Sequence, residues 1–314
     1  MKDLAEEKAA ISADSLTKRY GADAVVEELN LRVRYGETYG LLGPNGAGKT
    51  TTLRMLLGLT RPTSGEVGVL DQTPGPLSGL SGVGALVETP AFYPYLSGRK
   101  NLELMARLSG IGQGSGDDLI ESALRQVGMD KRASEKFKKY SLGMKQRLGI
   151  ASALLGEPEI LILDEPTNGL DPRGVAEMRA LIRGLGGRGS TVVLSSHMLG
   201  EVEQVCDRVG MMSRGRMVSE GSVSELRGQH EEVVVRAEPV EEALRVVREA
   251  GFEALGEPDA DGVLRLAAAE GCVPELAERL VASGVRIHEL RPERRSLEEA
   301  FLEVAGTEEE QGGS

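Results

Sequence analysis

The chain has 314 residues, of which 40% are hydrophobic and 27% charged, with a formal net charge of −12; that size suits a large domain plus a small one. The excess acid lies wholly in residues 231–314, which hold 9 arginines, no lysine and 21 acidic residues, so the composition breaks near residues 228–231. Such a balance argues against nucleic acid as the main partner, and two cysteines, Cys206 and Cys272, 66 positions apart, suggest neither a disulfide framework nor a zinc site.

No apolar run reaches the length of about 18 residues that a spanning helix needs. The start, MKDLAEEKAA, has neither the charge pattern nor the apolar stretch of a secretory leader. The chain is therefore expected in the cytoplasm.

In chain order, ISADSLTKRY, AVVEELNLRV and ETYGLLG read as strands punctuated by Gly36, Gly40 and Gly43, and TTLRMLLGL as a helix. A loop rich in Pro and Gly follows over residues 72–84, and apolar spacing makes residues 97–155 mainly helical. EILILDEP is the continuous apolar run of a buried parallel strand. MRALIRGL is helical, TVVLSSH is a second buried strand, and VGMMSRGRMVSEGSVSEL gives two short strands and a helix. Parallel strands alternating with helices make residues 1–230 an α/β domain with a helical insertion.

The acidic part, residues 231–306, has its own order of strand, helix, strand, strand, helix, strand and a final helix from SLEEAFLEVAG. That order is expected to give a small ferredoxin-like α+β domain. The charged, Gly-ended residues 307–314, TEEEQGGS, are expected to be disordered.

The chemistry is carried first by GPNGAGKT: Gly43, Pro44, Asn45, Gly46, Ala47, Gly48, Lys49 and Thr50, with Thr51 beyond. Glycines in a strand–loop–helix setting let backbone N–H groups turn inward around phosphate oxygens, backed by the positive end of the helix. Lys49 is expected to reach the β- and γ-phosphates, and the Thr50 hydroxyl to ligate Mg²⁺. The second part is ILILDEP, which puts Asp164 and Glu165 at the carboxyl end of a buried strand, where ligands of open α/β sheets bind. Asp164 is expected to hold Mg²⁺ and Glu165 to act as general base on the attacking water. Alone, such an acidic pair would also fit a solvated strand end.

With these two motifs 115 residues apart from Lys49 to Asp164, the chain resembles the ATP-binding subunits of ABC transporters over residues 12–225. The resemblance implies a P-loop ABC-type ATPase domain. Tyr20 stands where the family places an aromatic on adenine, though a core tyrosine is the alternative reading. YSLGMKQR falls at the family's signature, with Ser141 and Gly143 matching and Leu142 and Met144 departing from the usual Gly and Gln. NGLD, ending in Asp171, looks like the loop that joins the two halves of the dimer, and His197 looks like the histidine that contacts the γ-phosphate. Glu88 stands where the family has a glutamine that reaches Mg²⁺ and the attacking water. A carboxylate there can still bind Mg²⁺ but loses the amide donor; a surface-loop residue is the other reading.

Glu88, the following FYPYLSGRKNL and YSLGMKQR are similar to the ATPases of bacitracin, lantibiotic and daunorubicin type exporters. The resemblance implies a head-to-tail homodimer with two composite ATP sites, attached to the inner face of the membrane through a separate integral membrane permease. Phe92, Tyr93 and Tyr95 would be its docking anchors, or core residues. Rival readings are an importer ATPase, a non-transport ABC ATPase and a regulator that no longer hydrolyses ATP.

Overall fold

The computed structural model describes residues 9–75, 80, 82–87, 90–112, 115–227, 231–259, 261–268, 270–294 and 297. Two units emerge, Met1–Ser222 and Val223–Ser314. The division precedes the composition break at 228–231 because the short helix Val223–Arg227 goes with the second unit.

The first unit runs β1 (Ala9–Tyr20), β2 (Asp23–Arg34), β3 (Thr38–Leu42), α1 (Lys49–Leu56), β4 (Ser64–Val69), β5 (Val83–Leu86), α2 (Gly98–Leu108), α3 (Ser115–Gln126) and α4 (Leu142–Leu154). It continues with β6 (Ile160–Asp164), α5 (Pro172–Gly186), β7 (Thr191–Ser196), α6 (Leu199–Val202), β8 (Arg208–Ser213) and β9 (Arg216–Ser222). Strands β2, β1 and β4 form an antiparallel sheet in that order, and a six-stranded sheet has the order β5-β6-β7-β3-β8-β9. The latter is parallel except for its β8–β9 edge.

Burial follows from these pairings. In β2, Leu29, Leu31 and Val33 point inward while Asn30, Arg32 and Arg34 face water, the alternation of a half-covered antiparallel sheet. All five residues of β3 and all six of β7 are buried, as in a parallel sheet covered on both faces. An eight-residue helix such as α1 would not persist alone. It is held by Leu53 and Leu56, which join Leu16, Leu31, Leu41 and Ile162 in one core, each burial being worth about 2 kcal/mol.

The helices between β5 and β6 form the insertion, and its entrance is pinned by a buried amide. Asn101, 1% exposed, accepts from the Tyr93 N–H at 2.8 Å and donates to the carbonyls of Tyr93 and Ser97 at 3.1 and 3.0 Å. Phe92 packs edge-on against Phe137, whereas Tyr93 and Tyr95 are exposed.

The second unit opens with α7 (Val223–Arg227) and runs β10 (Glu231–Glu238), α8 (Val240–Glu249), β11 (Glu253–Ala254), β12 (Val263–Ala267), α9 (Val273–Ala282) and β13 (Arg286–Arg294). Its four strands are antiparallel in the order β11-β12-β10-β13. Val233, Val235, Leu264 and Leu266 pack with Ala243, Val247, Leu276 and Leu280 of the two longer helices. On other strand positions Arg265 and Arg291 are paired with Glu293, and Arg291 also with Glu289. The helix expected from SLEEAFLEVAG and the tail 307–314 lie outside the described residues, apart from Leu297.

Candidate nucleotide site

Parallel pairing sets the site. Strand β7 lies between β6 and β3, with Asp164 and Leu41 both opposite Ser195, and Leu42 opposite Ser196. The three chains therefore leave the sheet at one level. Out of it come the loop after Leu42, the pair Asp164–Glu165 and His197, whose segments are separated by over 100 and about 30 residues in sequence.

The loop from Gly43 to Gly48 needs its glycines. Gly43 has φ +153°, and a Cβ there would lie 2.3 Å from the Met212 carbonyl oxygen; Gly48 has φ +102°, and a Cβ would lie 2.6 Å from that of Val25. Only a residue without a side chain meets both demands. The loop and the first turn of α1 wall a hollow of about 220 Å³ with Asn45, Gly46, Lys49, Thr50, Glu165 and Asn168 among its lining.

Lys49 is 6% exposed and held by three oxygens: the carbonyls of Gly43 at 2.7 Å and Pro44 at 3.1 Å, and Glu165 Oε1 at 3.3 Å. Glu165 Oε2 in turn meets His197 Nδ1 at 2.8 Å. Glu165 adopts φ +47°, a left-handed backbone that costs a non-glycine residue about 1 kcal/mol or more and directs its carboxylate between the two partners. Asp164 Oδ1 accepts from the Thr50 hydroxyl at 3.2 Å and from the Ser195 hydroxyl at 2.5 Å. A hydroxyl and a carboxylate converging at the mouth of an anion-binding loop are the hard oxygen donors that suit Mg²⁺.

Sequence reasoning missed Ser195. It is fully buried, bonds Asp164, and accepts from the Glu165 N–H at 2.9 Å. Its signal was the paired serines of TVVLSSH, since a hydroxyl inside a buried strand must find a partner. Asn168 and Val25 also line the hollow and were not singled out.

Tyr20, at the end of β1, is 52% exposed, carries the Lys18 ammonium 4.9 Å from its ring centre, and does not line the hollow. Ser141 and Asp171 are both helix N-caps: Ser141 accepts from the Met144 N–H at 3.3 Å at the start of α4, and Asp171 from the Gly174 N–H at 2.9 Å at the start of α5. With Gly143 they line a separate hollow of about 320 Å³ that shares no residue with the one at Lys49. The structure thus brings Lys49, Thr50, Asp164, Glu165 and His197 together within one chain, and leaves Ser141, Gly143 and Asp171 apart from them. Glu88 lies outside the described residues. A larger hollow of about 890 Å³, lined by Ser12 and Asp14 of β1, by β4 and by the segments before and after β4, contains none of the motif residues.

The chain is also similar to known proteins. The ABC transporter family model matches residues 26–168. The bacitracin transport ATP-binding protein BcrA of Enterococcus faecalis is 39% identical over 94% of this chain and 96% of its own. The daunorubicin resistance ATP-binding protein DrrA3 of Streptomyces coeruleorubidus is 36% identical over 95% and 96%. The lantibiotic transport ATP-binding protein SrtF of Streptococcus pyogenes is 37% identical over 67% of this chain and 90% of its own. Among solved structures, an ATP-binding subunit of an ABC transporter superposes with TM-score 0.62 at 30% identity, covering 70% of this chain and 92% of that one. A dimeric ATP-binding cassette in a post-hydrolysis state bound to ADP and Pi superposes with TM-score 0.61 at 25% identity over 68% and 99%. Likeness of this extent, along nearly the whole length of several relatives, means that the chain belongs to the ABC transporter family as an ATP-binding subunit, and is an ATPase.

Proposed function

We propose that this ATPase powers export of a drug, antibiotic or peptide through a separate integral membrane permease, working as a head-to-tail homodimer at the inner face of the cell membrane. The observation that carries the catalytic part is Glu165, held between Lys49 at 3.3 Å and His197 at 2.8 Å at the mouth of the phosphate loop. The export reading rests on the bacitracin, daunorubicin and lantibiotic relatives.

In this reading the backbone N–H groups of Gly43–Thr51 cradle the phosphates. Lys49 exchanges its carbonyl partners for β- and γ-phosphate oxygens, and Tyr20 stacks its exposed ring on adenine. Thr50, Asp164 and Glu88 would hold Mg²⁺, which would neutralise phosphate charge. Glu165 accepts a proton from the attacking water, and His197 orients Glu165 and touches the γ-phosphate. Ser141, Gly143 and Asp171 sit in their own hollow, apart from Lys49. A second copy brings them to the ATP, so each of the two sites is completed in trans.

The sheet order β11-β12-β10-β13 with two helices supports a ferredoxin-like second domain. It would bracket the dimer or restrain its closure, and removing residues 231–314 should then change dimerisation or the ATPase rate with permease present. Exposed Tyr93 and Tyr95 serve as anchors for the permease, and no described helix is long and apolar enough to cross a membrane itself. Purification of the tagged chain from solubilised membranes tests the whole: a multi-helix permease should accompany it and stimulate its ATPase. Recovery with ribosomes, or with no membrane protein at all, would sink the export reading.

A further inference from the structure

The signature segment and the NGLD loop belong to different parts of the first unit, yet they are fastened to each other twice. At their tips two leucines interlock. A Cβ on Gly169 would lie 3.1 Å from Leu142 Cδ2, and one on Gly143 would lie 3.7 Å from Leu170 Cδ2, so each leucine lies over the other segment's glycine. About one turn further along each helix a charge clamp closes. Arg147 of α4 reaches Glu177 of α5 at 2.7 Å and also donates to the Val127 carbonyl at 3.1 Å. Arg173, two residues after Asp171, meets the other oxygen of Glu177 at 3.1 Å.

Neither fastening alone is strong. Arg173 is 87% exposed and Glu177 46% exposed, and pairs in such solvent contribute little to stability. Arg147, however, is only 19% exposed. Its guanidinium is fixed from two sides, by a carbonyl on the α3 side and a carboxylate on α5, which suits its planar fork. The clamp therefore acts on orientation more than on folding. Both helix N-termini it joins carry residues that the composite-site reading assigns to the other copy's ATP: Ser141 and Gly143 on α4, Asp171 on α5.

We infer that Glu177 is a positioning residue, which locks the signature helix to the helix behind Asp171 so that both reach the partner copy's ATP as one rigid body. This rests on the composite-site reading above. Catalysis in trans needs reacting groups set to within about 1 Å, and misplacement on that scale costs up to about 100-fold in rate. In this role Glu177 acts through Arg147 and Arg173.

The test uses full-length heterodimers assembled from two differently tagged copies, with MgATP turnover and nucleotide binding both measured. In the first arrangement one copy carries Glu165→Gln and Glu177→Ala and its partner is wild type. The working site is then the wild-type one, faced by the loosened signature. In the second, one copy carries Glu165→Gln and the other Glu177→Ala, so the working site is faced by an intact signature. The expected result is a turnover about tenfold lower in the first arrangement than in the second, with nucleotide affinity alike within about twofold. Glu177→Gln, which keeps its acceptor oxygen but not its charge, should fall between. Equal rates in the two arrangements, fast or slow, would overturn the positioning role while leaving composite sites intact, since simple loss of stability slows both. A slower second arrangement would overturn the composite reading itself.

Discussion

Lys49 Nζ stands 3.3 Å from Glu165 Oε1, so the residue proposed as catalytic base is paired with the lysine proposed to hold phosphate. Glu165→Gln removes the competing charge as well as the base. It is expected to bind ATP at least as tightly as the wild type and to lose at least about 100-fold in turnover. Equilibrium nucleotide titration beside phosphate release checks both halves, and unchanged turnover would remove Glu165 from its role.

His197 holds the other oxygen of the same carboxylate at 2.8 Å. In His197→Ala the carboxylate loses that partner and keeps the one to Lys49. Turnover should fall by about 10- to 100-fold, with ATP affinity changed far less. Single-turnover phosphate release separates the two, and a loss confined to affinity would contradict the reading.

Ser195→Ala should disturb the site from behind. The hydroxyl is fully buried and joins Asp164 to the Glu165 N–H, so its removal leaves both groups short of a partner. A loss of about 1–3 kcal/mol in urea unfolding is expected, together with a higher Mg²⁺ requirement for turnover. Wild-type values for both would show the hydroxyl to be dispensable.

Arg208 of β8 ties the turn before β3 to β9, reaching Glu37 at 3.2 Å and Glu220 at 3.0 Å, while Glu220 also accepts from the Tyr39 hydroxyl. Burial pushes the Glu37 carboxyl above the usual carboxylate range, against the opposing pull of the Arg34 backbone and the Arg208 guanidinium. Arg208→Ala leaves that carboxylate with less compensation and should cost about 3 kcal/mol at neutral pH. The sign with pH follows from the raised value. An acid whose folded pKa exceeds its unfolded one is penalised when ionised, so stability is regained as pH falls through the folded pKa toward the unfolded one. The deficit of the variant should therefore shrink from pH 7 toward pH 5, and a deficit that grows would refute the assignment.

Burial, aided by Asp207, pushes the Cys206 thiol far above its ordinary range, while Cys272 is only partly buried. In the native protein one thiol should react with a thiol-specific dye at neutral pH, and the second only after unfolding in denaturant. Two fast native reactions would contradict the packing around β3 and α6.

Much of the fold could be read from periodicity. The apolar runs ILILD and TVVLSS read as strands covered on both faces, and GPNGAGKT between LL and an apolar helix announced both the loop and its helix. The pairing order was not legible, because nothing local in TVVLSS says that it lies between β6 and β3. For the same reason Ser195 was missed: its role depends on Asp164 standing opposite in the neighbouring strand. Ser141 and Asp171 were noticed for their resemblance to nucleotide-contacting residues, yet each also spends its side-chain oxygen on a helix cap, a role readable from Ser before LGMK and Asp before Pro172. Composition changes where charge changes, whereas compactness changes where the chain leaves β9.

Strand β7 does not line the hollow at Lys49, yet both of its neighbours take their level from it through backbone pairing. Side chains along Thr191–Leu194 can therefore drift among shapes that fill the core without altering the reaction. A one-residue insertion or deletion there cannot be absorbed so easily. It would slide His197 against Glu165 by about 3.3 Å, the rise of one residue in a parallel strand, and swap which side chains pack on each face of the sheet. The segment is thus permissive in spelling and strict in length.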